Sequence, residues 1–393
     1  MITVVGLDGS PLSPDAQARL AAASLVMGGR RHLREALLPD GVPTVALRDD
    51  PEEAVRAVVE ADGDVVVLAS GDPGFFGVVR LLRERVPAPE LEVLPGVSSV
   101  ALAFARLGLP WDDAVVVSAH GRSLRPAVAA CRAHPKVAVL TSPGAGPAEL
   151  AAALGELDRR VVVAERMGLD GERLTALSPA EAAARDDWDP LNVVVVLDEA
   201  RAVAADKGWL AGRGAPSGWG LPESAFEHRD GMVTKAEVRA HVLARLGPRL
   251  GDLVWDVGAG SGSVAVECAR LGAAVVAVER GDVTHLRANA KAFGVDLEIV
   301  QGEAPAVLAP LPDPDAVFVG GGGVDVVSAV VARCPQRVVV ALATLERVGP
   351  VLEALDGYDT EAVLLQAQRV EVLGDGHRLL PTNPVFVVSG ARR

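Results

Sequence analysis

The residues in this chain that most plainly could do chemistry sit in a glycine-rich turn between an apolar strand and a helix. Residues Asp252–Ser263 read DLVWDVGAGSGS: Leu253–Val257 has the composition of a short buried strand, Gly258, Gly260 and Gly262 follow, and Val264–Leu271 reads as a helix. Glycine suits this turn because the chain must reverse tightly and because a ligand then meets main chain with no Cβ in the way. The helix that follows offers N–H groups with no intrahelical acceptor. A second strand, Ala274–Val278, runs into Glu279, seventeen residues beyond Gly262, where a carboxylate can accept hydrogen bonds from both hydroxyls of a ribose. The stretch predicts a nucleoside site.

The loop reads GxGxG, not the GxGxxG of dinucleotide sites, and Asp256 stands two residues before its first glycine. That pattern resembles the first motif of class I methyltransferases. The resemblance implies that Asp256, Gly258, Ala259, Gly260, Ser261 and Gly262 surround the methionine part of S-adenosyl-L-methionine (SAM) and that Glu279 binds its ribose. It also implies that Glu303 and Ala304, after the strand Leu297–Val300, lie beside the adenine. A fourth strand, Ala316–Val319, ends in Gly320–Gly323, which is either a loose loop or main chain left open beside the methyl group. There is no Asn-Pro-Pro-Tyr motif, which disfavours amino-group methylation of DNA.

The elements that must carry this site follow from composition. A chain of 393 residues, half of them hydrophobic, is long enough for two or three domains, each with a full core. Valine-rich runs recur between helical stretches at Val65–Leu68, Val115–Val117, Val161–Val163 and Val193–Leu197. They are too short to span a membrane, and as continuous apolar strands they predict parallel sheets covered on both faces, hence an α/β fold. A net charge of −14 with 3% aromatic residues argues against a nucleic-acid partner, which asks for a basic face and stacking rings. Cys131, Cys268 and Cys334 show no metal or disulfide spacing, and MITVVGLDGS runs straight into a strand without a secretory signal, so a cytoplasmic location is expected.

The first half of the chain repeats one device, an apolar strand that ends in a glycine turn. Ile2–Val5 leads to Gly6, Asp8 and Gly9; Leu25–Met27 to Gly28, Gly29 and the basic group Arg30, Arg31, His32 and Arg34; Val65–Leu68 to Ser70, Gly71, Asp72, Pro73 and Gly74. The basic group is either a solvated helix face or an anchor for substrate carboxylates. LPGVSSV at Leu94–Val100, VSAHGR at Val117–Arg122, LTSPGAGP at Leu140–Pro147 and AERMGLDGE at Ala164–Glu172 continue the series, so several strand ends should gather in one crevice. These motifs resemble the tetrapyrrole methylases, and PGVSSVALAFARLGLPWDDA with VSAHGR is similar to their precorrin-6Y subfamily. The resemblance implies a class III fold of two α/β subdomains with SAM in the trough between them, held around Gly6, Gly71, Asp72, Pro73, Ser98, Ser99, Thr141 and Met167. Asp72 either caps its own turn or lines the methyl-transfer cleft.

From about Ala200 the pattern lapses, and Asp206–Ser224 is rich in Gly, Pro and Ser. Thr234 with Glu237 reads as a capping box before a helix Ala236–Leu246. Yet GMVTKAEVR, with VWDVGAGSGSVAVECARL, VVAVER, GEAP, PDPDAVFVGG and NPVFVVSG, also resembles the carbon-15 methylase and decarboxylase family, in which the matching threonine lies near SAM. The expected division is 1–205 as a tetrapyrrole methylase (class III) domain, 206–225 as a linker, and 226–393 as a Rossmann-like class I domain. Fused in this order, the modules resemble the C(5,15)-methyltransferases (decarboxylating) of cobalamin biosynthesis. The resemblance implies a corrinoid substrate, a precorrin, methylated at carbon 5 by the first domain and at carbon 15 by the second, with loss of carbon dioxide from the carbon-12 acetate. It also implies a homo-oligomer, because the family's members tend to associate. With no nucleophile motif and no metal spacing, positioning must provide much of the catalysis. Candidates to hold or direct carboxylates are His120 and Arg122 in the first cleft and His377 and Arg378 in the second, with Asp72 at the first transfer cleft. Other readings are a methyltransferase for another small anionic molecule and a SAM-binding regulatory protein.

Overall fold

Burial on alternate faces decides where the strands lie. In this computed structural model, which describes residues 1–35, 38–47, 51–203, 218–229 and 231–393, the first strands are β1 (Ile2–Leu7), β2 (Leu25–Gly28), β3 (Thr44–Ala46), β4 (Val65–Ser70) and β5 (Leu91–Leu94). They form a sheet in the order β3-β2-β4-β1-β5, each pair parallel. Val4 and Val67 pack into a core on one face, Val5 and Leu68 into a core on the other. Both faces are covered, as the unbroken apolar runs required.

The next strands are β6 (Val115–Ser118), β7 (Lys136–Leu140), β8 (Arg160–Glu165), β9 (Arg173–Leu177) and β10 (Asn192–Leu197), in the order β6-β7-β10-β8-β9. Here the expectation of parallel pairing fails: β10 runs antiparallel to β8, and β8 antiparallel to β9. A strand buried on both faces reads the same in either direction, so valine content could not reveal this. The helix Ser99–Leu107 covers one face, with Val100, Ala103 and Phe104 against Val162, Ala164, Val193 and Val195.

The last part holds β11 (Leu253–Val257), β12 (Ala274–Glu279), β13 (Glu298–Gln301), β14 (Ala316–Val319), β15 (Arg337–Leu342), β16 (Tyr358–Leu365), β17 (Gln368–Leu373), β18 (Gly376–Pro381) and β19 (Val385–Arg392). The sheet order is β13-β12-β11-β14-β15-β19-β16, with the first five strands parallel and β19 antiparallel to both neighbours. Strands β17 and β18 form a separate ribbon. The chain leaves β11 toward β12 on one side and returns to β14 on the other, so the crevice at the ends of β11, β12 and β14 is the topological switch point.

Two compact units result, one of Met1–Arg122 with Ala138–Trp209 and the other of Ser123–Val137 with Leu210–Arg393. Of the expected linker 206–225, residues 206–217 lie outside the described residues, and Glu223–Ala225 is a single 3-10 turn. Among the described residues no helix is long and apolar enough to cross a membrane.

The segment before β11 is held by a buried ion pair. Arg239, on the helix Ala236–Leu246, donates from Nε to Glu267 Oε1 at 2.6 Å, and both side chains are fully buried. Glu267 also accepts the N–H groups of Gly220 (2.6 Å) and Leu221 (3.0 Å), while Arg239 donates to the carbonyls of Thr234 and Leu221 and lies over the Phe226 ring. The capping box expected at Thr234 does not form. Lys235 takes the cap position without a side-chain bond, the Ala236 N–H donates to Glu223 Oε1 at 3.3 Å, and the Glu237 carboxylate accepts from Arg369. A glutamate from the preceding turn has taken the helix N–H, and the Arg369 guanidinium beside it holds Glu223 down at about 2.

Arg239→Met should lower the unfolding free energy of this unit by about 3–5 kcal/mol, because it leaves a buried carboxylate without its cation. Arg393→Met, which removes the exposed pair to Asp359 (65% and 76% exposed), should cost about 1 kcal/mol or less. Urea unfolding followed by circular dichroism checks the contrast, and equal effects would contradict it.

Candidate active site

A cavity of about 870 Å³ opens at the ends of β11, β12 and β14. It stands at the upper end of the roughly 300–1,000 Å³ typical of small-ligand sites, which leaves room for the edge of a second ligand beside a nucleoside. Gly258, Ala259, Gly260, Ser261, Glu279, Glu303, Ala304 and Thr234 all line it. Gly260 has φ +54°, and a Cβ there would meet nothing within 4 Å. Gly258, at φ +78°, packs against the opposite loop, where a Cβ would lie 2.8 Å from the Gly321 nitrogen. The Glu279 carboxylate accepts the N–H groups of Gly260 and Gly281, each at 2.8 Å, and so ties the glycine loop to the end of β12. A carboxylate has about four acceptor sites, so two remain for a ribose diol. The residues present fit SAM.

Two residues of the motif serve the loop from behind. Gly262 is absent from the cavity wall: at φ +76° it begins the helix Ser263–Arg270, and a Cβ would sit 2.8 Å from Leu286 Cγ. Asp256, expected against SAM, is 1% exposed and not in the cavity wall. Its Oδ2 accepts the Ala265 N–H at 2.9 Å, and its Oδ1 has no partner. Strand alternation turns it toward the helix and away from the ligand. Burial, against the opposing Ala265 bond and with the charge of Glu279 adding to it, pushes its carboxyl up to about 7.

Sequence reasoning missed Asn289, which is 1% exposed. Its amide accepts the Glu227 N–H (2.7 Å) and donates to the carbonyls of Glu227 and Ser261 (2.8 Å each), fastening the cavity wall to the glycine loop. It also missed the basic side chains that line the cavity, Arg229, Arg280 and Arg347 with His285. Arg280 lies 3.9 Å from Glu303, and His285 3.7 Å from Glu227. Arg280 directly follows Glu279, the one local signal available; the others come from separate segments. His377 and Arg378 are not among the residues that line the cavity: they lie on β18 of the exposed ribbon, and Arg378 is used in a 2.9 Å cross-strand pair with Glu371.

In the first unit main chain meets main chain. A Cβ on Gly6 would lie 2.1 Å from the Gly71 carbonyl oxygen, 2.3 Å from the Gly96 nitrogen and 3.1 Å from Pro73, so the ends of β1, β4 and β5 touch with no side chain between them. A Cβ on Gly9, at φ +88°, would lie 1.7 Å from the Gly168 carbonyl oxygen, which brings the loop after β1 onto the loop after β8. Asp8 braces this junction by accepting the Val97 N–H at 2.8 Å and the Ser10 N–H at 3.0 Å. Burial works to raise its pKa, but the bonds from Ser10 and Val97 outweigh it and the net shift is downward.

Gly6, Gly71, Pro73 and Ser98 therefore share one cluster. Asp72 accepts the Gly74 N–H at 2.8 Å, which gives it the turn-capping role. Ser98 caps the helix Ser99–Leu107 through the Ala101 N–H, and Thr141 donates to Asn192 Oδ1 at 2.7 Å. Met167 is 8% exposed and packs in the core with Val162 and Phe104. His120 and Arg122 are exposed, the His120 ring 3.3 Å from the Thr141 carbonyl. Of the early basic group, Arg30 and Arg34 face solvent, whereas His32 is buried with its ring 3.0 Å from Ser70 Oγ at the end of β4.

Comparison with known proteins gives two family matches: the tetrapyrrole (corrin/porphyrin) methylases over residues 2–183, and the precorrin methyltransferase domain over residues 224–392. The chain is similar to a precorrin-6Y C(5,15)-methyltransferase [decarboxylating] from a Sinorhizobium species, 42% identical, with 82% of this chain and 78% of that protein covered. Two shorter relatives each match about half of it. One is a probable cobalt-precorrin-6B C(15)-methyltransferase (decarboxylating) of Pyrobaculum calidifontis, 38% identical over 43% of this chain and 94% of its own length. The other is a cobalt-precorrin-7 C(5)-methyltransferase of Salmonella typhimurium, 31% identical over 51% of this chain and all of its own.

The Asp256 carboxyl gives a pH signature. Its folded-state pKa of about 7 stands above the roughly 3.9 of an unfolded aspartate, so the stability it contributes is fully present below about pH 4 and is lost as pH rises through about 7. Asp256→Asn keeps an acceptor for Ala265 and abolishes the titration. The variant should gain on the unchanged protein by about 1.4 kcal/mol per pH unit between pH 5 and 7 and level off above pH 8. Urea unfolding across that range tests this, and a flat difference would contradict it.

Proposed function

The chain belongs to the precorrin-6Y C(5,15)-methyltransferase (decarboxylating) family, and from that membership we propose that its two units divide the reaction, 1–205 methylating carbon 5 and 226–393 methylating carbon 15 and removing carbon dioxide from the carbon-12 acetate. It is a SAM-dependent methyltransferase of cobalamin biosynthesis. The division is supported by the two half-length relatives, one named for carbon 5 and one for carbon 15 with decarboxylation. The product of both steps on precorrin-6Y is precorrin-8.

In the second unit Glu279 and the Gly258–Ser261 loop would hold SAM, with Glu303 and Ala304 at the adenine end. SAM supplies a methyl group on a sulfonium, ready for attack by a carbon nucleophile. The bridging carbons of a reduced tetrapyrrole are electron-rich enough to attack it directly, so the protein has to orient, not activate. The cations Arg229, Arg280 and Arg347, with His285 beside them, give a chain of net charge −14 a local positive rim where a polycarboxylate can dock. Thr234, its carbonyl fixed by Arg239, and the side-chain-free run Gly320–Gly323 line the same cavity and would face the two substrates. In the first unit the Gly6, Gly71 and Gly96 contacts would set the cradle for the other methyl donor.

The observation that carries this reading is the Glu279 carboxylate, holding two backbone N–H groups at the mouth of a cation-ringed cavity. With metal-free and cobalt-bearing precorrin-6Y supplied in parallel, mass spectrometry of the full chain's product should show two added methyl groups and one lost carboxyl. Glu279→Ala, at SAM concentrations well below those that saturate the unchanged enzyme, should slow carbon-15 methylation and decarboxylation about 10- to 100-fold, as expected for losing charge-assisted bonds of about 1.5–3 kcal/mol. Methylation at carbon 5 should continue. A Glu279→Ala enzyme that slows at both positions, or at neither, would overturn the division.

A further inference from the structure

Behind the run of four glycines lies a second cavity, of about 230 Å³. It shares Gly321, Gly322, Gly323 and Arg347 with the main cavity, so the two adjoin. Its walls are apolar: Val327, Val340, Leu342 and Val351 are each 7% exposed or less. Glu346 and Arg347 are the charged residues lining it, on the turn Leu345–Arg347 that follows β15. The recess is thus mainly apolar, with Arg347 and its neighbour Glu346 as its charged lining and the run Gly321–Gly323 shared with the main cavity.

Arg347 differs from the other cations of the rim. Arg280 and His285 face Glu303 and Glu227, whereas Arg347, among the described residues, makes a single long contact of 3.5 Å to the Gly322 carbonyl and pairs with no carboxylate. An exposed guanidinium with donors to spare, at the opening of an apolar recess, suits the bidentate capture of a carboxylate.

We propose that this recess is the decarboxylation pocket: Arg347 anchors one carboxylate of the polycarboxylate macrocycle at the mouth, and the neighbouring acetate enters the apolar cavity and leaves there as carbon dioxide. The proposal rests on the decarboxylating reading above and adds the place where that step occurs. A carboxylate is stabilised by water that neutral carbon dioxide does not need, so transfer into an apolar space lowers the barrier to losing the charge. A cation inside the recess would oppose this by stabilising the ground state. At the mouth it orients the substrate without pairing with the group that leaves.

The bond between the side-chain CH₂ and its carboxyl carbon breaks, and the carboxyl departs as carbon dioxide. Its electron pair passes into the conjugated macrocycle and neutralises the positive charge acquired with the new methyl group. A proton from water completes the side-chain methyl as the macrocycle gives one up. Arg347 touches a carboxylate other than the reacting one and is a positioning residue.

The test uses the full chain and reads three quantities: the ratio of carbon-15-methylated product that keeps its carboxyl to product that has lost it, the dissociation constant of precorrin-6Y without SAM by absorbance titration, and that of SAM by calorimetry. Arg347→Ala should weaken precorrin binding about tenfold or more, leave SAM affinity within twofold, and raise the carboxyl-retaining fraction at least tenfold. Arg347→Lys should recover part of both effects. Val324→Glu, at a 40% exposed position on the rim of the recess, should raise the same fraction by placing a negative charge in the acetate's path. If Val324→Glu does not fold, as its SAM affinity would reveal, the two Arg347 variants decide alone. Unchanged product ratios in variants that bind SAM, beside a wild type that methylates and decarboxylates, would overturn the recess assignment and leave the function standing. A wild type that methylates carbon 15 without losing carbon dioxide would overturn both.

Discussion

The pair Arg239–Glu267 is the constraint on which the second unit's active site depends. Two charges without solvent exposure are costly, and what makes them tolerable is that the surrounding main chain satisfies the donors and acceptors the pair leaves over. Those main-chain groups belong to Gly220, Leu221 and Thr234, in a segment none of whose described residues lies in a strand. Asn289 does the same from the other side, joining Glu227 to the Ser261 carbonyl in the glycine loop. An irregular stretch thereby becomes a fixed wall, and Arg229, Met232 and Thr234 reach the cavity at set positions. Apolar replacements of equal volume could match the pair in stability, but they could not hold the Thr234 carbonyl.

How much of this was legible depended on whether the information was local. The glycine loop, Glu279 and the strands on either side could be read because three φ values above zero and a buried parallel strand each leave a mark within a few residues. The direction of β8 and β10 left no such mark. Nor did the facing of Asp256: the spacing placed it correctly in the chain, but which side of β11 it occupies determines whether it touches a nucleoside or a helix, and the motif alone does not say. Of the two readings of Thr234, the cap does not form because the competing acceptor, Glu223, sits eleven residues earlier and is itself fixed by Arg369 from the far end of the unit. His377 and Arg378 suggested a site by type, yet their strand pairs only with β17 and consumes the arginine there. The cation ring failed in the opposite sense: Arg229, Arg280, His285 and Arg347 are unremarkable as isolated residues, and only the sheet order brings them to one rim.

The two units solve the same problem of approach to main chain by different means. In the first, Gly6, Gly71 and Gly96 let three strand ends touch directly, so the absence of side chains serves the protein's own packing, and any substitution there drives a Cβ into backbone. In the second, Gly260 meets nothing within 4 Å, so the absence of a side chain leaves space for a ligand. A glycine-rich strand end in a sequence can mean either, and the contacts a Cβ would make distinguish them.

Glu279 adds a thermodynamic consequence. Its carboxylate already holds the Gly260 and Gly281 N–H groups, so the loop is shaped before SAM arrives and binding need not order it. The same arrangement places a negative charge close enough to contribute to the raised pKa of Asp256 beneath the loop. Two acids of one motif thus end with opposite parts: the half-buried Glu279 lines the cavity, and the buried Asp256 holds the helix start and becomes half neutral near pH 7. Burial is the main difference between them. This is why the acid two residues before the first glycine supports the cradle from behind, while the acid at the end of the next strand forms its face.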